Sequence, residues 1–349
     1  MNTGIEAAGS GRSGDRGLGT LLGVPLGICT AILVVTALYF AGKVFAPLAF
    51  ALFIIAIVWP LQAALQARLP KLLALAASML ATIVVLAAFL WTVSWAFSHV
   101  GRYVIADAAR FQLLYNDITD WLEGHGIELA GLWAEHFNVG WLLRGFQGIT
   151  SRINGTLSFT VVVLIYVILG LLEVDVVAVK LRTMCGEGGR VLLAGSARTA
   201  AKFRRYILVR SLMSVMTGLL VWGFISLLGL PLAQEWGVLA FALNYIPFIG
   251  PLVATVLPTA FAAVQFGTWQ MALLVFASLN VIQFLIGSYL EPRIAGSVLS
   301  MSPFLVLFAV FFWTFLWGIA GAFIGGISIT VEGKYEGRGV FKANSLAMQ

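Results

Sequence analysis

Few side chains in this sequence could take part in chemistry, and those that stand out lie inside apolar stretches. The run Asn244-Tyr-Ile-Pro-Phe-Ile-Gly-Pro251, continued to Pro258, sets Pro247, Gly250, Pro251 and Pro258 within one hydrophobic segment. Each proline removes a backbone donor and obstructs the carbonyl four residues earlier. In hydrocarbon an unsatisfied backbone group costs several kcal/mol, so broken backbone is tolerated only inside protein or beside water. Freed carbonyls and helix ends carry partial charges that can hold a solute or an ion. Asn244 adds an uncharged donor and acceptor. A kink that only shapes the bundle is the competing reading.

A second constellation spans 287–303. Glu291 and Arg293 are the only charges between Glu235 and Glu332, and Pro292, Gly296 and Pro303 surround them. Rare charges in a membrane core are candidates for function; a polar linker that carries an ion pair is the alternative. Four secondary candidates follow. Glu173 ends one apolar run, next to Asp175, and Arg210 lies about one turn inside the next. Pro47 and Pro60 bracket an earlier run. Pro47 falls in a first turn, where its missing N–H costs nothing, and Pro60 near the far end, where it bends or stops a helix.

No catalytic set accompanies these residues. Gly186, Gly188 and Gly189 lack the Lys-Ser/Thr that would meet a nucleotide phosphate, and neither HExxH nor GxSxG occurs. His99, His125 and His136 match no metal-ligand spacing and read as solvated histidines; Cys29 and Cys185 form no disulfide framework or zinc pattern. The expectation is no enzyme, no cofactor, no bound metal and no nucleic-acid partner.

The elements that must position these residues are membrane helices. The chain has 349 residues, 60% hydrophobic and 10% charged, with a mean hydropathy of +0.98; soluble domains carry roughly 25% charged residues. The bilayer is the solvent for most of it. Eight runs are long and apolar enough to cross roughly 30 Å of hydrocarbon: 21–41, 44–63, 72–97, 156–175, 206–229, 236–264, 268–289 and 303–326. The expected fold is all-α and polytopic, with about eight transmembrane helices, at least one of them broken by Pro/Gly, and a small helical extramembrane insert.

The chain divides into an N-terminal tail (1–20), three spans (21–98), an amphipathic helical insert (99–155), five further spans (156–326) and a polar C-terminal tail (327–349). The first two spans meet at Gly42 and Lys43, which suggests a hairpin. The first apolar run is too long for a cleaved signal peptide. In the insert, Val104, Phe111, Leu114, Ile118 and Trp121 recur at helical spacing among six acids. The loop 176–205 instead carries Lys180, Arg182, Arg190, Arg198, Lys202, Arg204 and Arg205. The positive-inside bias places that loop in the cytoplasm, with both termini, and its 187–205 part along anionic headgroups.

These motifs also carry a family resemblance. Pro47-Leu-Ala-Phe-Ala-Leu with Trp59-Pro60-Leu, Asn244-Tyr-Ile-Pro-Phe-Ile-Gly-Pro251, Glu291-Pro-Arg-Ile-Ala-Gly296 through Leu299-Ser-Met-Ser-Pro303, and Trp317-Gly-Ile-Ala-Gly321 resemble the autoinducer-2 exporter family of bacterial permeases. The order of elements matches over about 20–325. The resemblance implies an oligomeric, multi-pass inner-membrane transporter that moves a small solute in some members and exchanges sodium for protons in others. A scaffold without flux is the reading from a different class. The sequence departs from the family in two places. Arg210 stands at about the position of a Gln, and after Phe323 the chain turns to Ile-Gly-Gly-Ile-Ser-Ile-Thr in place of a longer apolar span.

Overall fold

The computed structural model describes residues 13–125, 139–295 and 303–332. All regular structure among them is helical: α1 (Ser13–Phe40), α2 (Gly42–Gln66), α3 (Lys71–Ala106), α4 (Ala108–Gly124), α5 (Val139–Met184), α6 (Gly186–Leu227), α7 (Ala233–Leu243), α8 (Ile249–Phe266), α9 (Trp269–Phe284), a π-helical turn (Leu285–Leu290), α10 (Glu291–Ala295) and α11 (Pro303–Glu332). Among the described residues, six stretches are long and apolar enough to cross a bilayer: Gly42–Gln66, Lys71–Ala106, Ser158–Met184, Gly186–Leu227, Ile249–Phe266 and Trp269–Ile294. Shorter apolar helices cover Pro25–Phe40 and Phe304–Gly318. This is an all-α, polytopic membrane protein. Helices dominate because only they satisfy every backbone group within one segment in hydrocarbon.

Two apolar clusters hold the bundle. Ala51 and Val58 of α2 meet Leu75 and Met79 of α3 and Val163, Val167 and Leu171 of α5. Ala96 and Val100, further along α3, meet Val221 and Ile225 of α6, Trp236 and Leu239 of α7, Phe261 of α8 and Leu279 of α9. Helices α3, α5 and α6 have 36, 46 and 42 residues. At 1.5 Å per residue they run about 54, 69 and 63 Å, well beyond a hydrocarbon core of about 30 Å. The stretch 176–205 is therefore no loop. It is helical up to Met184 and again from Gly186, with the reversal compressed into Cys185 and Gly186, whose φ is +51°. The basic residues of 187–205 lie on the same unbroken helix as Arg210.

The first two helices do not form the expected hairpin. Ala41 alone separates them, its N–H still donates to Ala37 O at 2.9 Å, and Phe45 N–H donates to Ala41 O at 3.0 Å. That is a bend, because reversal needs several residues outside helical geometry. Leu26, Ile32, Leu33 and Phe40 of α1 remain exposed.

The sixth expected run is broken, as the sequence predicts for at least one helix, and the eighth is broken as well. Helix α7 has only 11 residues, about 16 Å. The rings of Trp236 in α7 and Phe261 in α8 lie 5.5 Å apart, although 25 positions separate them. A continuous helix would hold them about 37 Å apart. The segment 233–266 is instead an antiparallel hairpin with its tip at 244–248. Gly250 packs against Leu243 across the reversal so closely that a Cβ there would overlap the Leu243 carbonyl. Helix α11 behaves likewise. Helical geometry fails at Trp317 (φ −132°, ψ 17°) and Gly318 (φ 63°, ψ −143°). Beyond that point a Cβ on Gly321 would overlap the Trp313 carbonyl, and one on Gly325 would lie 2.7 Å from Ala309 O. Residues 319–325 thus run back along 309–316.

Candidate functional site

The tip of the first hairpin is built by its prolines. Pro251 has no N–H for Pro247 O, and that carbonyl takes Ile249 N–H at 2.7 Å instead. Pro247 has none for Leu243 O, which takes Ile246 N–H at 2.8 Å. Phe248 carries the reversal at φ 62°, in a region that side chains rarely adopt. The result ends α7 at Asn244, whose carbonyl is left to a partner outside the turn, at a locally negative helix end.

Arg210 of α6 meets that end. Its Nη2 donates to Asn244 O. Its Nη1 donates to both carboxylate oxygens of Glu291, at 2.9 and 2.8 Å. Glu291 is delivered by α9, whose last turns widen into the π-helical segment, so that Glu291 N–H bonds Ile286 O five residues back. Such π turns occur often at functional sites. Asn244 Nδ2 donates to Ser214 Oγ at 3.1 Å, and Tyr245 OH donates to Ser211 Oγ at 2.8 Å. Arg210 and Glu291 are each only 8% exposed, and Arg210 Nε has no partner among the described residues.

Desolvating two charges costs several kcal/mol each, and their attraction offsets this only with good geometry and satisfied lone pairs. Here one guanidinium holds a carboxylate and a helix end together, so three elements converge on one side chain. Arg210 Nε–H is a buried donor that this set of partners leaves unused. Ser211, Ser214 and Tyr245 supply neutral groups around it.

The structure thus joins Arg210, Asn244 and Glu291. Pro247, Gly250 and Pro251 shape the tip. Pro258 is buried within α8, about two turns beyond it. Pro292 is exposed beside Glu291, and Arg293 turns away from the pair, its guanidinium 4.6 Å from the Tyr289 ring centre. An ion pair between Glu291 and Arg293 does not form. Glu173 is exposed on α5, away from the cluster, and Asp175 pairs at the surface with Lys71 Nζ at 3.4 Å. Pro47 is buried at the sixth position of α2, past the first turn expected from the sequence, so its missing N–H leaves Lys43 O without that helical donor. Pro60 has a partner relationship of its own: the carbonyl it frees, Ala56 O, accepts Arg204 Nη1 at 3.0 Å. Gly296 lies outside the described residues, and Pro303 opens α11.

Sequence reasoning missed two sets of residues. Ser211 and Ser214 lie beside and one turn beyond Arg210, a polar grouping at the start of the apolar half of α6. His99, half-exposed, has a partner that the sequence did not suggest. Its Nδ1 lies 2.8 Å from Glu235 Oε1, where Glu235 is buried at the start of α7. No spacing rule links two residues 136 positions apart.

Known proteins are similar to this chain in sequence. The family described as AI-2E family transporter matches residues 28–332. The AI-2 transport protein TqsA of Escherichia coli (strain K12) is 30% identical over 311 residues, which is 86% of this chain and 88% of TqsA. A putative transport protein of Haemophilus influenzae is 23% identical over 85% of this chain and 87% of its own length. The putative transport protein YhhT of Escherichia coli (strain K12) is 32% identical over 49% of this chain and 48% of its own. The broken tip, the buried pair and the residues that build them all fall within the matched region, and the chain belongs to the AI-2E transporter family.

Proposed function

We propose that the protein is a secondary transporter of the bacterial inner membrane that exports a small, oxygen-rich polar solute of the AI-2 kind past the Arg210–Glu291 pair. The observation that carries this reading is a buried guanidinium with an unused donor at the tip of a hairpin that enters and leaves on one side. Discontinuous helices with ends turned into the membrane are how many transporters form sites and move them between the two faces. A solute hydroxyl or oxyanion would meet Arg210 Nε, with Asn244 and Ser214 as neutral partners. The relative named for AI-2 transport supports the solute class. The basic end of the bundle, at the α2–α3 and α5–α6 turns, faces the cytoplasm in this reading. Helix α1, exposed and standing off the bundle, supports assembly with further copies.

Exchange of sodium for protons is the second reading within transport. Against it, both oxygens of Glu291 are occupied by Arg210. A cation would have to displace a guanidinium to reach them. A scaffold without flux gives no reason to keep two charges inside the bilayer.

The test is AI-2 release from cells stripped of other exporters, followed by flux into inverted vesicles with a panel of polar solutes. The reading expects accumulation outside cells and saturable uptake into inverted vesicles. Sodium-driven proton movement without flux of any solute contradicts it.

A further inference from the structure

A second polar cluster, remote from Arg210, keeps bonding capacity that the fold does not use. Glu235 is the one charged side chain of α7, α8 and α9, and it is buried. Among the described residues its carboxylate has a single partner, His99 Nδ1, which lies 2.8 Å from Oε1. A carboxylate can accept at both oxygens, so most of its capacity is spare. Trp236, next in the chain, is also buried, and its indole Nε1–H has no partner among the described residues. Tyr103 OH donates to Gln265 Oε1 at 3.4 Å, which is long beside the usual hydroxyl bond of about 2.7–2.8 Å. Buried polar groups in folded proteins are nearly all paired, so spare donors and acceptors gathered in one place point to a partner outside the chain.

Aromatic rings surround these groups. Trp95, His99 and Tyr103 follow one another at four-residue steps on one face of α3. The His99 ring lies 4.9 Å from that of Trp95, and the rings of Tyr103 and Trp236 lie 5.2 and 5.5 Å from Phe261 of α8. Trp95, His99, Tyr103 and Gln265 are half-buried, so each keeps an open edge. The place is the end of the bundle away from the basic turns. His99 stands 28 positions along α3 from Lys71, about 42 Å, which exceeds a hydrocarbon core of about 30 Å. Glu235 stands nine positions from Asn244 along α7, about 14 Å from the tip that Arg210 holds. Phe89, on the same face of α3, links the two levels. Its ring lies 6.0 and 6.1 Å from those of Phe241 and Tyr245, and Tyr245 bonds Ser211 beside Arg210. An aromatic seam thus runs from the central cluster to the outer one.

We propose that Trp95, His99 and Glu235, with Tyr103 and Gln265 at the rim, form a second, outer subsite for the transported solute, and that this solute is a ring-bearing polyol. The proposal rests on the transport reading and narrows its substrate class. Neighbouring hydroxyls of a polyol donate to the free carboxylate oxygen of Glu235, a charge-assisted bond stronger than a neutral one. The carbon face of its ring lies against the Trp95 indole, which is apolar on its face and polar only at its N–H. Tyr103 and Gln265 exchange their long mutual bond for shorter ones to further hydroxyls. A neutral polyol brings donors and acceptors alike and leaves no charge of its own unpaired. The half-exposed edge of His99 opens the subsite to the outer aqueous side.

The test is isothermal titration of the full-length protein in detergent with AI-2, and with choline as an organic cation that a carboxylate among aromatic rings could hold instead. The parent protein is expected to bind two molecules of AI-2 per chain. Arg210→Gln/Glu291→Gln, shown to be folded by thermal unfolding, is expected to lose the central site and keep the outer one. Added to that background, Glu235→Gln and Trp95→Ala are each expected to weaken the remaining site by about tenfold or more. Glu235→Gln keeps an oxygen for His99, and Trp95 is half-buried, so two independent variants report on the same site. A folded Arg210→Gln/Glu291→Gln protein that binds no AI-2 while the parent binds one molecule overturns the outer subsite and leaves the transport reading standing. So does a remaining site that Trp95→Ala leaves unchanged, or one that takes choline in place of AI-2. A folded parent protein that binds no AI-2 at all overturns the transport reading for such a solute.

Discussion

Arg210 Nη1 holds both carboxylate oxygens of Glu291, at 2.9 and 2.8 Å, across 81 positions of sequence and inside the bundle. The same guanidinium holds the carbonyl of Asn244, so one side chain fixes the hairpin tip to the π-widened end of α9. Loss of either partner leaves the other charge buried alone, which costs about 3–5 kcal/mol. Arg210→Gln and Glu291→Gln are each expected to lower thermal stability in detergent sharply and to abolish flux. The double variant Arg210→Gln/Glu291→Gln, which removes both charges, is expected to regain most of the stability. Thermal unfolding of the four proteins checks this, and a double variant as unstable as the singles would sink it.

At Asn244 the backbone and the side chain do separate jobs. Asn244→Ala keeps the carbonyl that Arg210 uses and loses only the bond to Ser214 Oγ, worth about 1 kcal/mol. The expected outcome is near-normal stability with a raised half-saturating solute concentration. Equal loss of stability and flux would mean that the amide only supports the fold.

The reversal at the first tip leaves no room at Gly250, whose Cβ would overlap Leu243 O. Backbone cannot yield as a flexible side chain can, so Gly250→Ala is expected to cost about 1–3 kcal/mol or more. It should also reduce flux by moving Asn244 away from Arg210. Melting temperature and flux measured together check this, and an unperturbed Gly250→Ala protein would show that the close approach is not required.

Pro60 and Arg204 form a coupled pair. Proline leaves Ala56 O without its helical donor, and Arg204 Nη1 takes that place at 3.0 Å. Arg204→Gln is expected to destabilise the protein by about 1–3 kcal/mol, the usual range for a lost bond to a charged group. In a Pro60→Ala background, where residue 60 again offers an N–H, the same change should cost less by about 0.5 kcal/mol or more. A double-mutant cycle with no coupling would show that the two residues act independently.

Much of this was legible in the sequence, for reasons that differ residue by residue. The break at Asn244–Pro251 could be read because proline and glycine act locally, through a missing donor and a missing Cβ. Arg210 and Glu291 could be named because charges in an apolar run are rare. Their pairing could not, since hydropathy carries no information about partners 81 positions apart. Nor does hydropathy carry direction: the runs 236–264 and 303–326 are apolar enough to span, yet both fold back. In the second, no proline marks the reversal, and Gly318 alone permits it. The bend at Ala41 hid for the related reason that Gly42 and Lys43 resemble a turn. His99 with Glu235 escaped because each residue has an ordinary surface reading when taken alone.

The central claim, that solute passes the Arg210–Glu291–Asn244 cluster, is tested most directly by solute flux through the Arg210→Gln/Glu291→Gln variant in proteoliposomes, with folding checked by thermal unfolding. A folded protein with flux reduced at least a hundredfold is the predicted result. Flux at the parent level from that folded variant would contradict the account.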